Sequence, residues 1–226
     1  MRKKHWIIIF FALVAAEMTG IQLENEIIQF ICKPLLMPVL GAHLFSKTAD
    51  TNSRLRAWLV VALFFSWAGD VLLLFQENAS IFFLLGLSAF LLAHICYIGF
   101  FHSVRVKENV KSNLWLLLVV VIYYAVLISI LSPFLGPMKL PVRVYGIVIS
   151  FMFMLAMHML FIQQKKAGRW MMWGALLFVI SDSALAINKF YLPFEGAGLV
   201  IILTYGLAQL FIIEGGIRYL RSLNSN

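Results

Sequence analysis

The amino-acid sequence predicts an all-α integral membrane protein, a bundle of eight transmembrane helices, and three observations predict it. The first is the scarcity of charge: 62% of the 226 residues are hydrophobic and only 12% charged, with a mean hydropathy of +0.93. A soluble domain carries about 25% charged residues to cover its surface. This composition therefore excludes an ordinary cytosolic enzyme, a disordered chain and a disulfide scaffold. The second is the recurrence of apolar stretches near the ~20 residues that cross a bilayer as helix. The third is that the breaks between them, such as residues 46–53 and 163–169, are short and polar, with no room for a soluble domain. The runs lack the polar/apolar alternation of a transmembrane barrel, which leaves helices.

The expected spans are residues 6–23, 26–46, 56–76, 80–102, 113–132, 141–163, 170–190 and 197–218, forming one polytopic domain over residues 1–226. The first has a basic start, an apolar run and Ala15-Ala16, as a signal peptide would, but Glu17 and the continuing Met18-Thr19-Gly20-Ile21 argue against cleavage. The second carries Lys33 with Pro34 and Pro38, which remove two backbone donors and are expected to kink the helix and direct freed carbonyls inward. The third places Ser66 one helical turn before Asp70, and the fourth places Tyr97 one turn after His94. The fifth is apolar almost throughout. The sixth holds His158 in its inner half, with no evident role. The seventh has Ser181 and Asp182, followed about two turns later by Asn188 and Lys189 near its outer end. The eighth has Tyr205 and Gln209 at i,i+4, and then Glu214 four residues before Arg218, an interfacial pair. Cys32 and Cys96 both lie inside spans and report nothing about redox compartment, and His5, His43 and His102 lie near span ends and read as interfacial.

Basic residues set the orientation, because cytoplasmic loops collect Lys and Arg. Arg2, Lys3, Lys4, Lys47, Arg54, Arg56, Arg105, Lys107, Lys111, Lys165, Lys166, Arg169, Arg218 and Arg221 fall on one side. The other side has Lys139, Arg143 and Lys189, so both termini are expected in the cytoplasm. The net charge of +8 thus reflects topology in a cell membrane, the cytoplasmic membrane if the host is bacterial. Nucleic acid is not an expected partner, since no clustered basic face with stacking aromatics is present. Two parallel four-helix repeats are also consistent with the sequence. Asp70 and Asp182 stand 112 residues apart, each after a small residue, and each is followed one span later by a polar side chain, His94 or Gln209.

Among the ionisable side chains within the spans, five acids or bases stand out: Glu17, Lys33, Asp70, Asp182 and Glu214. A charge at mid-bilayer costs about 2.5–3.5 kcal/mol or more on insertion scales, so each asks for a reason. Asp70 and Asp182 are expected at similar depth, and Lys33 enters from the outer side toward the same level. The structural explanation, Lys33 neutralising one aspartate, leaves the other carboxyl unpaired. Two carboxyls beside one cation suggest that one stays protonated, the usual division between acid and base. Glu17 has no evident partner. His94 reads more readily as a helix–helix hydrogen bond than as a ligand. A zinc site of His94, Asp70 and Asp182 is the metal alternative, but the chain offers neither His-x3-His nor Cys-x2-Cys, and no metal or cofactor is expected.

These residues carry a family resemblance. Lys33-Pro34-Leu35-Leu36-Met37-Pro38 resembles the K-P-x-x-x-P element of the YhhN-like transmembrane family, and Phe65-Ser66-Trp67-Ala68-Gly69-Asp70 through Leu73 is similar to its F-S-x-x-G-D-x-x-L element. Gly86, Phe90, His94 and Tyr97 resemble its G-x-x-x-F-x-x-x-H-x-x-Y helix. Gly174-Ala175-Leu176-Leu177-Phe178-Val179-Ile180-Ser181-Asp182 resembles G-A-x-L-F-x-x-S-D, and Tyr205 to Gln209 resembles Y-x-x-A-Q. The resemblance covers about residues 5–220 and implies eight helices. It also implies lysoplasmalogenase activity, hydrolysis of the vinyl ether bond of lysoplasmalogens to a fatty aldehyde and glycerophosphoethanolamine or glycerophosphocholine. The family's two catalytic aspartates carry over to Asp70 and Asp182.

Vinyl ether hydrolysis needs an acid for carbon, a negative charge for the resulting cation and a base for water, and two carboxyls provide these in glycosidases. Lys33, Ser66, His94, Ser181, Asn188, Tyr205 and Gln209 are the expected binding residues, with a lysophospholipid as substrate and membrane lipids as surroundings. Two other readings suit the same residues: a proton-coupled small-molecule or lipid transporter, and a non-catalytic lipid-binding protein whose aspartates are structural.

Overall fold

The structure is a computed structural model that describes residues 5–49 and 54–223; Arg2, Lys3 and Lys4 of the expected cytoplasmic set lie outside these residues. Among the described residues eight helices are long and apolar enough to cross a membrane, and no strand occurs. They are α1 (His5–Gln22), α2 (Glu26–Lys47), α3 (Arg54–Leu74), α4 (Ser80–Lys107), α5 (Leu114–Leu131), α6 (Lys139–His158), α7 (Lys165–Ala186) and α8 (Ala197–Leu223). A helix satisfies its own backbone donors and acceptors, which is why apolar runs of this length take that form in lipid. Two helix starts are capped by side chains that the sequence supplies: Asn25 accepts from the Ile28 amide at 3.2 Å, and Asn113 accepts from the Trp115 amide at 3.1 Å.

The eight helices follow one another in the order of the apolar stretches, with local departures in their ends and regularity. α4 continues to Lys107, beyond the apolar limit at residue 102, with the good helix formers Arg105 and Lys107 in its last turn. α6 gives way to a 3₁₀ turn, Met159–Phe161, and α7 passes into a single π turn, Ile187–Tyr191, that carries Asn188 and Lys189. α2 runs as one helix through Pro34 and Pro38, whose missing N–H groups leave the carbonyls of Phe30 and Pro34 without their helical donors.

The most closely packed pairs are α3 with α4 and α7 with α8, the pairs that carry the two aspartates. Small residues make this approach possible. A Cβ on Gly69 would stand 2.6 Å from the Phe90 ring, and one on Gly174 would stand 2.7 Å from the backbone nitrogen of Ile212. Phe178 is fully buried and meets four rings edge-on: His94 at 4.6 Å between centroids, Tyr205 at 5.5 Å, Tyr97 at 6.4 Å and Phe90 at 6.5 Å. This aromatic knot joins α4, α7 and α8 directly beneath the polar groups. α5 is peripheral: of its residues only Val120 and Leu131 are buried.

Candidate active site

Asp70 and Asp182 line one cavity of about 300 Å³. It reaches from their level to the helix ends opposite the chain termini, where Ile21, Gln76, Phe83, Asn188 and Gly198 surround it. Its remaining polar lining includes Glu17, Gln29, Lys33, Tyr145, Ser181 and Tyr205, and its apolar wall includes Leu73, Leu87, Phe90, Leu185, Ile201 and Ile202. An apolar pocket with a few convergent polar groups is the form that small-molecule sites take.

Each aspartate is held by a tyrosine from another helix. Asp70 is almost completely buried, and its Oδ2 accepts from the Tyr205 hydroxyl at 2.8 Å. Asp182 Oδ2 accepts from the Tyr145 hydroxyl at 2.5 Å and faces His94 Nε2 at 3.3 Å, while His94 Nε2 also meets the Tyr145 oxygen at 2.8 Å. The bonds cross between the halves of the chain: α8 reaches back to the aspartate of α3, and α4 reaches forward to that of α7. The sequence elements can be read physically at this point. In α7 Gly174 admits α8, Phe178 forms the aromatic knot, Ser181 donates to the Ile201 carbonyl at 3.0 Å, and Asp182 enters the cavity, all on one helical face.

Of the residues expected to bind substrate, Lys33, Ser181, Asn188 and Tyr205 line the cavity. Ser66, His94 and Gln209 stand behind its wall, fully buried: Gln209 Nε2 donates to Ser66 Oγ at 2.9 Å, and Tyr97 donates to Gln209 Oε1 at 2.5 Å. His94 touches Asp182 through Nε2 while its Nδ1 is buried without a partner, and Ser66 and Gln209 are bonded to each other and to Tyr97. The Asn188 side chain accepts from the Phe194 amide at 3.2 Å and ties down the chain after the π turn. Lys33 forms none of the ion pairs among the described residues, although its charge acts on both Asp70 and Glu17. It is therefore not a direct clamp on one aspartate. Lys189 turns away to Glu77, 3.9 Å distant, and lies over the Phe83 ring.

Other expectations are corrected. His43 is not interfacial: it is buried, and its Nε2 lies 2.6 Å from Glu214 Oε1. Glu214 also faces Arg218 at 3.6 Å, the expected i,i+4 pair, so a buried His43, a partly buried Glu214 and an exposed Arg218 form a chain between α2 and α8. His158 bridges the Met154 carbonyl and the Asn113 amide, joining α6 to the start of α5. No group of three His, Cys, Asp or Glu side chains among the described residues is placed to hold a metal, so His94, Asp70 and Asp182 do not assemble as one ligand set. Two site residues escaped sequence reading. Tyr145 stands as the one tyrosine in an apolar run from residue 144 to 157, and that polar tip was the available signal. Glu17 was visible as a charge in a span, but only packing shows that it faces the cavity.

The fold and site define a multi-pass helical membrane protein with a largely apolar cavity that two aspartates line. The sequence profile of the YhhN family matches residues 28–216, and the chain belongs to that family. It is 32% identical over 176 residues to lysoplasmalogenase TMEM86B of Sus scrofa, covering 78% of this chain and 70% of that protein. It is 31% identical over 196 residues to human lysoplasmalogenase TMEM86B, covering 86% and 79%. A lysoplasmalogenase of Mycobacterium tuberculosis is 32% identical over 203 residues, covering 88% and 73%. No solved structure matches the chain.

Proposed function

We propose that this protein is a membrane-embedded lysoplasmalogenase, in which Asp70 and Asp182 hydrolyse the vinyl ether bond of a lysoplasmalogen. The observation that carries the reading is that both aspartates line one largely apolar cavity, each positioned by a tyrosine. The relatives' shared name supports the reaction class.

The two carboxyls have different surroundings. Asp182 faces two donors, Tyr145 and His94, and serves as the carboxylate that stabilises the cation and takes a proton from water. Asp70 is reached by one donor, Tyr205, and is the general acid, protonating the β-carbon of the vinyl ether. The oxocarbenium ion formed is captured at the α-carbon by water. The resulting hemiacetal collapses to the aldehyde and the glycerol alcohol, and the proton from water restores the acid. Bundle walls of Leu, Ile and Phe accommodate the single hydrocarbon chain, and the head group lies toward the polar helix ends, with lysoplasmenylethanolamine and lysoplasmenylcholine as substrates.

The test is aldehyde release from lysoplasmenylethanolamine by purified protein in detergent. Asp70→Asn and Asp182→Asn are expected to abolish turnover while the thermal midpoint stays near wild type. Folded variants that both retain full turnover would overturn the assignment. Orientation is measured separately, by protease or tag accessibility, with both termini expected in the cytoplasm.

A further inference from the structure

Glu17 is the buried charge that the two-aspartate mechanism does not use. It is 1% exposed, lines the cavity, and its Oε2 is buried with no hydrogen-bond partner among the described residues. A carboxyl kept only for structure would be tied to a neighbour, as Glu214 is tied to His43. Glu17 faces α2, which comes so close that a Cβ on Gly20 would stand 2.9 Å from Ile28. Lys33 of α2 lines the same cavity, and its charge acts on Glu17 and on Asp70 alike.

The charge count of the cavity points to the ligand. Glu17, Asp70 and Asp182 face a single cation, Lys33. With one aspartate protonated as the acid, one carboxylate remains in excess over Lys33. A lipid bringing only phosphate would add to that excess, whereas a lipid that brings phosphate and a cation together leaves it unchanged. The unpartnered carboxyl also asks for a hydrogen-bond donor, which a primary ammonium has and a quaternary ammonium lacks.

We infer that Glu17 and Lys33 form a head-group clamp, in which Glu17 takes the primary ammonium of an ethanolamine lysophospholipid and Lys33 takes its phosphate. This rests on the reading of the cavity as a lysophospholipid site. Glu17 is then a specificity-determining residue, and ethanolamine lipids are preferred to choline lipids.

The experiment compares wild type, Glu17→Gln and Glu17→Asp, all full-length in detergent, on three alkenyl lysolipids: the ethanolamine form, the choline form and the bare glycerophosphate. Kd values for the matching uncleavable alkyl ethers are measured by intrinsic tryptophan fluorescence. Glu17→Gln is expected to raise KM and Kd for the ethanolamine lipid about tenfold, the loss of one charge-assisted hydrogen bond. It is expected to raise them less for the choline lipid and to lower them for the bare glycerophosphate, because a negative charge facing its phosphate is gone. Glu17→Asp retains the wild-type order of preference. Shifts in the same direction for all three lipids, or no shift, overturn the clamp, since a structural role has no reason to distinguish head groups. Glu17→Leu replaces Glu17→Gln in the comparison if the latter fails to accumulate. If no vinyl ether is cleaved but the Kd pattern appears, the hydrolase reading fails and the clamp stands.

Discussion

Tyr145→Phe isolates one bond of the site. The hydroxyl has two partners, Asp182 Oδ2 at 2.5 Å and His94 Nε2 at 2.8 Å, and its removal leaves Asp182 with only the 3.3 Å approach of His94. The phenyl ring keeps the edge-on packing against His94, whose centroid is 5.3 Å away, so the substitution takes an oxygen and little else. A hydrogen bond to a charged group contributes about 1.5–3 kcal/mol. At 1.4 kcal/mol per factor of ten, kcat/KM should fall roughly 10- to 100-fold. The fall should appear mainly in kcat, because Asp182 acts on the cation and water more than on the bound lipid. The assay couples aldehyde release to NADH oxidation through an alcohol dehydrogenase. Tyr123→Phe is the control: its hydroxyl pairs with Ser183 at 2.8 Å, one residue beyond Asp182, and turnover should stay near wild type. Turnover of Tyr145→Phe at the wild-type rate, or equal losses in both variants, would refute the role given to Tyr145.

Two further substitutions test the packing that holds the site. Gly174→Ala puts a Cβ 2.7 Å from the Ile212 nitrogen and 2.8 Å from the Ala208 carbonyl, backbone atoms that cannot turn aside. Overpacking of this kind costs about 1–3 kcal/mol, read as a lower thermal midpoint in detergent; an unchanged midpoint contradicts the α7–α8 contact. At the other end of the bundle, His43→Leu takes the 2.6 Å partner from the partly buried Glu214 and leaves it only Arg218 at 3.6 Å, with an expected loss of about 1–3 kcal/mol. The double variant His43→Leu/Glu214→Leu should recover part of that loss, and turnover per folded molecule should match wild type because the pair lies away from the cavity. A double variant no more stable than the single one would mean that the pair does not act as a unit.

The spans were legible because a helix in lipid is a local object, set by runs of apolar residues whose length matches the bilayer. Asp70 and Asp182 were legible for the same reason in reverse: they interrupt runs that tolerate few charges. Roles that depend on a partner were harder to read. His43 has the look of an interfacial residue by its place near a span end, and only the approach of α8 buries it against Glu214. Ser66, His94 and Gln209 have the chemistry to bind a ligand, yet packing places them behind the cavity wall, bonded to side chains of other helices. Tyr145 and Glu17 acquire meaning only from the cavity they share.

By itself the sequence determined that the chain is a bundle of eight membrane helices and that two acidic positions in it are costly enough to need a purpose. Both follow from composition and spacing, since hydrophobic length and the cost of a charge in lipid are properties of one helix at a time. Tertiary structure decided which tyrosine holds which aspartate, that α4 reaches the aspartate of α7 while α8 reaches that of α3, and that a third carboxyl and a lysine join them around one cavity. Those are relations between helices far apart in the chain, set by how Gly69, Gly174 and the rings around Phe178 let the helices pack, and no local pattern encodes them.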